Sequence, residues 1–249
     1  TETELAAQDA AAELIARTHP DMRVATPLPT RDGEAPQGVR LLPFLAGGTL
    51  TERGYLTPPT VAAMGDLAGR VSRALDGFSH PGLDRILQWD LRYGEQVVTR
   101  LIAHAPRRRE EILAATRQAW SLIAPHADAL PRQAVHLDLT DANVVSGPSG
   151  LPDGIIDFGD LSDSWAVSEL AVTLSSVLGH PGNGPTSILP GVKAFHAVRP
   201  LQPAEAKVLW PLLVLRTAVL IVSGAQQGEL DPDNAYNTDQ SDDEWRMFD

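Results

Sequence analysis

His136-Leu137-Asp138-Leu139-Thr140-Asp141-Ala142-Asn143 is the stretch on which the reading of this chain turns, and Asp157-Phe158-Gly159-Asp160 begins fourteen positions after Asn143. Between them Asn143-Val144-Val145-Ser146 reads as a short apolar strand, residues 147–154 are dense in turn formers, and Ile155-Ile156-Asp157-Phe158 reads as a second strand. Two antiparallel strands joined by such a turn bring the start of the first beside the end of the second. Asn143 and Asp157 are therefore expected to meet at one end of a β-hairpin. Asp138 lies five residues before Asn143 and reaches the same point, since a chain spans at most roughly 3.5 Å per residue. A lone Asp or Asn beside glycine is an ordinary turn residue. The order of the three, with a hairpin between them, carries the signal.

A His-x-Asp-x-x-x-x-Asn run followed by an apolar pair and Asp-Phe-Gly is the order of parts in a kinase catalytic site. In that chemistry Asp138 receives the proton of an acceptor hydroxyl, while Asn143 and Asp157 offer hard oxygen ligands to Mg2+ held on the phosphates of ATP. His136 is expected to pack beneath the loop and hydrogen-bond backbone, supporting Asp138 rather than reacting. Residues 136–145 (HLDLTDANVV) and 154–160 (GIIDFGD) resemble the aminoglycoside phosphotransferase and choline kinase-like family of small-molecule kinases. That resemblance implies an α+β, protein kinase-like two-lobe fold, here with a truncated small lobe and a mostly helical large lobe carrying the β-hairpin. Residues 163–171 are similar to the hydroxylysine kinase branch, where Glu-Leu-Ala opens a long helix. By that resemblance Glu169 accepts hydrogen bonds from the catalytic-loop backbone; taken alone, it reads equally well as a first-turn glutamate favoured by the helix dipole. Residues 39–50 form an apolar run into a glycine pair, similar to the family's inter-lobe hinge. This places Phe44 and Leu45 where backbone groups hold adenine. Pro232-Asp233-Asn234-Ala235-Tyr236 resembles the same branch's tail.

The front of the chain departs from the pattern. A kinase small lobe carries a glycine-rich hairpin over the phosphates and a strand lysine paired with a helix glutamate. Here the lysines are Lys193 and Lys207, both after the catalytic loop, and no glycine precedes Gly33. The opening segment reads as a helix through Leu5, Leu14 and Ile15, with Glu2 or Glu4 as the candidate helix glutamate. The expectation is a piece of a longer protein whose preceding strands complete the lobe, or else a naturally reduced relative. By itself this polypeptide is expected to bind nucleotide weakly, because phosphate-clamping groups supply much of the positioning. The rival reading is a non-catalytic kinase-like binding or regulatory module of a larger multidomain protein. A metal-dependent hydrolase using the same ligands is a second rival.

With 249 residues and 43% hydrophobic content the chain can form a sizeable core. We divide it into a partial small lobe and hinge (1–50), a helical large lobe with the catalytic loop and metal motif (51–227), and an acidic tail, linker or docking arm (228–249). Helical spacing is seen in Val61, Met64, Leu67, Val71 and Leu75, again across 110–123, and is expected over 165–178 and 204–224. The net charge of −12 argues against nucleic acid and anionic membrane as partners and suits an amino-bearing acceptor, either a small amino alcohol or a hydroxy amino acid. A fused domain in the parent chain is the other expected partner. The chain has no cysteine, which leaves no thiolate metal site, and the ATP reading implies a cytoplasmic location. Residues 210–222 are apolar but contain Arg216 and are too short to cross a bilayer, so they read as a buried helix. Asp160 is a candidate for a second metal or the acceptor amine, as is Asp163. Either residue reads as well as the cap of a helix starting at Trp165. Residues 89–92 are read as a loop anchored by Trp89 in preference to an acceptor-shaping insert, and Arg107-Arg108-Arg109 as a solvated face.

Overall fold

In a computed structural model the chain is described over residues 1–29, 39–105, 107–232 and 241–249. Helix α1 (Glu2–Thr18) starts on a capping box, in which the Thr1 hydroxyl accepts from the Glu4 amide and the Glu4 carboxylate turns back to the helix start. It buries Ala7, Gln8, Ala11, Ala12 and Ile15. Helix α2 (Pro58–Ala74) is capped by Thr57 and opens on two prolines, whose missing amide protons are not needed in a first turn. Its apolar stripe of Val61, Met64, Leu67 and Val71 is fully enclosed, as the 3.6-residue spacing requires. Then follow α3 (Gly94–Leu101), α4 (Arg109–Ile123), α5 (Ser168–Gly179), α6 (Leu189–Val198), α7 (Pro203–Leu230) and α8 (Ser241–Phe248).

Glycines set how closely two of these helices approach. A Cβ built on Gly65 of α2 would lie 2.1 Å from the Gly191 carbonyl oxygen of α6, and one on Gly191 would lie 2.6 Å from Leu174 Cδ2 of α5. Helix α7 is long and apolar enough to cross a membrane by length and composition, but 72% of its apolar window is buried inside the fold. It serves here as the central core helix, packed on α3, α4 and α5.

Two small sheets lie among the described residues. In the first, β1 (Arg23–Val24) runs parallel to β4 (Pro152–Ile155), which pairs antiparallel with β3 (Val144–Ser146), with Val144 opposite Ile155. In the second, β2 (Arg132–Val135) pairs antiparallel with β5 (Ser162–Trp165). The expected hairpin is present, but its second strand lies earlier than residues 155–158. It ends at Ile155, because Asp157 adopts φ 60°, a left-handed conformation that no strand accommodates.

Other expectations also shift. Residues 162–165 form a strand because β2 needs a partner, and the helix starts at Ser168, so neither Asp160 nor Asp163 caps it. Residues 39–45 pair with no strand among the described residues, with Leu41 and Phe44 largely exposed; a backbone bond from the Leu28 amide to the Leu41 carbonyl (2.9 Å) and the Arg40 side chain's bonds to α1 tie them down. The glycine pair after them has a packing reason. Gly47 lies flat on β3, where a Cβ would overlap the Ser146 carbonyl oxygen at 1.8 Å, and the Gly48 carbonyl accepts from the Ser146 amide at 3.0 Å. Over 228–249, α7 runs on to Leu230 and α8 packs against α5 and α7. The Arg108 guanidinium lies over both the Trp245 and Phe248 rings of α8. Of the tail motif at 232–236, residues 233–236 lie outside the described residues.

Candidate active site

The loop between β2 and β3 carries the acidic site and is held from below. His136 is fully buried, and its amide donates to Glu169 Oε2 at 2.9 Å. Its ring bridges two segments, with Nε2 3.1 Å from the Ile156 carbonyl and Nδ1 accepting from the Asp138 amide at 3.3 Å. Burial pushes this imidazole down to about 4, so it is neutral at physiological pH. Phe158 packs against the ring at 4.8 Å. The scaffold role expected of His136 thus corresponds to bonds that tie the catalytic loop to the Asp157 segment. Leu137 sits at φ 67°, an uncommon conformation for a branched residue, held by complete burial of its side chain.

Asp138 is half-buried and has two differently employed oxygens. Oδ2 accepts from Asn143 Nδ2 at 2.6 Å, and the same amide group also donates to the Asp138 carbonyl at 2.8 Å. Oδ1 faces Arg216 Nη2 at 3.6 Å, beyond hydrogen-bond range. Burial raises the carboxyl to about 6, Arg216 pulls it down, and Asp160 and Asp157 push it up. Because Asn143 spends its NH2 on Asp138, its amide oxygen is the atom left for a cation. The Ile156 amide donates to the Asn143 carbonyl at 3.0 Å, which fixes Asp157 at the open end of the hairpin beside Asn143. Asp157 is exposed, and one carboxylate oxygen accepts from the Gly159 amide at 3.0 Å. Asp160 stands behind it, raised mainly by burial and lowered by Arg216 and Arg85.

These donors suit Mg2+. Among the described residues no group of three or more His, Cys, Asp or Glu side chains converges as a metal cage. One carboxylate and one amide oxygen at an open edge are the protein share expected where phosphate oxygens and water complete an octahedron.

Glu169 is fully buried at the start of α5. Burial raises its carboxyl to about 8 against the hydrogen bonds from the loop, and Oε1 has no partner. At that value it is mainly protonated at neutral pH, and it touches the backbone of the 136–143 loop rather than the open site. Asp163 is drawn away from the site into an ion pair with Arg132. Asp90, in the 89–92 loop, is buried and holds Arg92 and the Ser164 hydroxyl. Asp141 is bonded to His180 at 3.1 Å.

Beside Asp157 a cleft of about 320 Å³ opens between α1 and the 39–45 segment, lined by Gln8, Asp9, Arg40, Leu42, Ile156 and Phe158 among others. Phe44 and Leu45 are outside its lining, and Phe44 is 92% exposed. The polar α1 residues that face the cleft are Gln8 and Asp9 rather than Glu2, which is exposed, or Glu4, which is committed to the helix cap. Both bind Arg40, with Nη1 2.6 Å from Asp9 Oδ1 and Nη2 3.0 Å from Gln8 Oε1. A larger hollow of about 500 Å³ lies outside the site, under Phe78, Arg85, Arg92 and Arg132. It touches none of Asp138, Asn143 and Asp157, and we assign the chemistry to the smaller cleft. Sequence reading missed Arg40, Asp9 and Arg216. For Arg216 a signal was present, a single charge inside an apolar helix.

A catalytic-loop aspartate, an asparagine five residues on and an Asp-Phe-Gly turn on one hairpin define a kinase-type phosphotransfer scaffold. The sequence profile of the APH group, the Phosphotransferase enzyme family, matches residues 1–200, and the chain belongs to that family. It is 29% identical over 210 residues to the hydroxylysine kinase of Bos taurus, covering 79% of this chain and 55% of that protein. It is 30% identical over 209 residues to the homoserine kinase of Pseudomonas aeruginosa, covering 81% of this chain and 64% of that protein. The chain thus spans a little over half the length of these curated relatives. Among solved structures, a microcompartment-associated aminopropanol kinase superposes with a TM-score of 0.71 at 18% identity, covering 100% of this chain and 80% of that one. The likeness establishes the protein kinase-like fold.

Proposed function

We propose that this chain carries the catalytic half of an ATP-dependent kinase that phosphorylates a hydroxyl of a small amino-containing compound. The observation that carries the proposal is the division of labour on Asp138. Asn143 pins Oδ2 at 2.6 Å and leaves Oδ1 without a hydrogen bond. Oδ1 is the atom that takes the acceptor's proton as the acceptor oxygen bonds to the γ-phosphorus; the bond from that phosphorus to the β–γ bridging oxygen breaks, and ADP leaves. Asn143 and Asp157 hold Mg2+, which when bound neutralises phosphate charge and orients the transferred group. The cleft takes the nucleotide, with Leu42, Ile156 and Phe158 as apolar walls and Arg40 as its cation. His136 and Glu169 keep the loop in place from the buried side.

The acceptor class is supported by the relatives, whose names specify hydroxylysine, homoserine and aminopropanol, all small molecules with an amine and a hydroxyl. Acidic groups around Asp138 favour an ammonium. The chain has no lysine before Lys193, so its turnover is expected to fall below the roughly 1–100 per second of ordinary kinases. Calorimetry with ATP and Mg2+ tests the reading: the wild-type chain is expected to bind the pair, and Asp157→Ala to bind it at least ~10-fold more weakly. Unchanged binding in Asp157→Ala removes the metal assignment.

A further inference from the structure

Arg216 is the one charged side chain between Trp210 and Val222 in α7, and it is not exposed on the helix surface. Its side chain is 4% exposed, and its Nε and Nη1 have no hydrogen-bond partner among the described residues. The Trp89 ring covers the guanidinium, 5.2 Å from its carbon. Burying a guanidinium with two donors unmet is costly, and an aliphatic residue would suit this core helix better. Nε and Nη1 are enclosed, and Nη2 is the donor at the Asp138 edge, 3.6 Å from Oδ1; a ligand acceptor that meets Nη2 there accounts for the arrangement.

The side on which Arg216 lies identifies that ligand. Asp138 turns Oδ2 to Asn143, the metal-binding residue, and Oδ1 to Arg216. Arg216 therefore stands on the face of the catalytic carboxylate that looks away from the nucleotide, where the acceptor enters. Its planar fork of donors matches a carboxylate. Asp138 and Asp160 act electrostatically on the same guanidinium, while burial raises the nearby Glu244 carboxyl to about 8, so two acidic groups flank one positive group at the open edge. Alternation of sign suits a zwitterion; an amino alcohol has nothing to give the cation.

We propose that Arg216 binds the carboxylate of the acceptor and thereby selects a hydroxy amino acid over an amino alcohol of the same skeleton. This rests on the phosphotransfer reading for the word acceptor. Entry is along the half-open Asp138 and Asp160 edge, to which Nη2 points. Trp89 becomes a wall of the acceptor pocket in addition to anchoring its loop.

The test is equilibrium binding to the whole chain with Mg2+ and a non-hydrolysable ATP analogue, using two matched pairs. These are homoserine with its decarboxylated counterpart 3-aminopropan-1-ol, and hydroxylysine with its decarboxylated counterpart. In at least one pair the amino acid is expected to bind roughly 10- to 100-fold more tightly. Arg216→Gln is expected to erase that ratio while leaving nucleotide affinity unchanged, and Arg216→Lys to restore part of it. Equal or tighter binding of the decarboxylated member in both pairs overturns the proposal, as does no binding of any of the four. So does an Arg216→Gln variant that loses nucleotide affinity but keeps the ratio, since the guanidinium then serves phosphate. Should Arg216→Gln fail to fold, the wild-type ratios decide alone. A preference for the amino acid with no phosphorylated product supports the Arg216 assignment and counts against phosphotransfer.

Discussion

Asn143 donates its side-chain amide to Asp138 twice, to the backbone carbonyl at 2.8 Å and to Oδ2 at 2.6 Å. On the proposed reading one residue thus orients the base and would present its amide oxygen to Mg2+. Asn143→Ala is expected to lose both functions. Nucleotide–Mg2+ affinity should fall at least ~10-fold, and kcat should fall by a further ~10²-fold as Asp138 swings free. Calorimetry and product formation measured on the same variant separate the two losses.

The Asp138 carboxyl is raised to about 6, first by burial, and it acts as a base only when ionised. The sign follows directly: activity is present above that value and is lost as pH falls through it. The acid limb of kcat/KM, which reports the free protein, is therefore expected near 6 rather than in the ordinary carboxylate range. Arg216 lowers this pKa, so Arg216→Gln should move the limb to higher pH. A limb that stays in the ordinary carboxylate range in the wild type contradicts the assignment of Asp138 as base.

Glu169 gives a separate pH signature, in stability. Burial holds its carboxyl at about 8, above its unfolded value. A raised folded-state pKa favours folding below the unfolded value, and that contribution is lost as pH rises through the folded one. Wild-type stability from this group should therefore decline between about pH 5 and pH 8. Glu169→Gln should show less of this decline, and Glu169→Ala should lose roughly 1–3 kcal/mol at about pH 5, because the His136 amide is left without its acceptor, with the deficit shrinking toward pH 8. Urea melts of the three proteins at the two pH values measure this.

Gly65 and Gly191 let α2 and α6 touch backbone to backbone. Gly65→Ala must separate them, since the added carbon would lie 2.1 Å from the Gly191 carbonyl oxygen. A loss of roughly 1–3 kcal/mol is expected, as in other overpacked cores. The candidate cleft, whose lining includes neither Gly65 nor Gly191, should keep its nucleotide affinity at temperatures well below the new melting point. Thermal melting and calorimetry on Gly65→Ala check the pair.

The parts of the fold legible in sequence are those with a local cause. The two prolines after Thr57 and the helical spacing of Val61, Met64, Leu67 and Val71 locate α2, and Val144 to Ser146 with the following turn locate the hairpin. That Asp138, Asn143, Asp157 and His136 come together was readable because a short hairpin and the loop before it place them by local spacing. What was not readable depends on long-range partners. The strand at 162–165 exists because β2 lies beside it, and the run at 39–45 is no strand because nothing among the described residues pairs with it. Arg40 meets Asp9 from 31 positions away, and Arg216 meets Asp138 across the domain. Arg107, Arg108 and Arg109 are exposed, as a solvated face would be, but sequence could not show that Arg108 also covers the Trp245 and Phe248 rings of α8.

The most direct test of the central claim is product formation from Mg2+–ATP and a panel of hydroxylysine, homoserine and aminopropanol, read by mass spectrometry under single-turnover conditions, for wild type and Asp138→Asn. We predict a phosphorylated product with the wild type, a rate at least ~10²-fold lower with Asp138→Asn, and equal nucleotide affinity for both. Equal rates for the two proteins, or release of phosphate to water with no phosphorylated acceptor in any case, would contradict it.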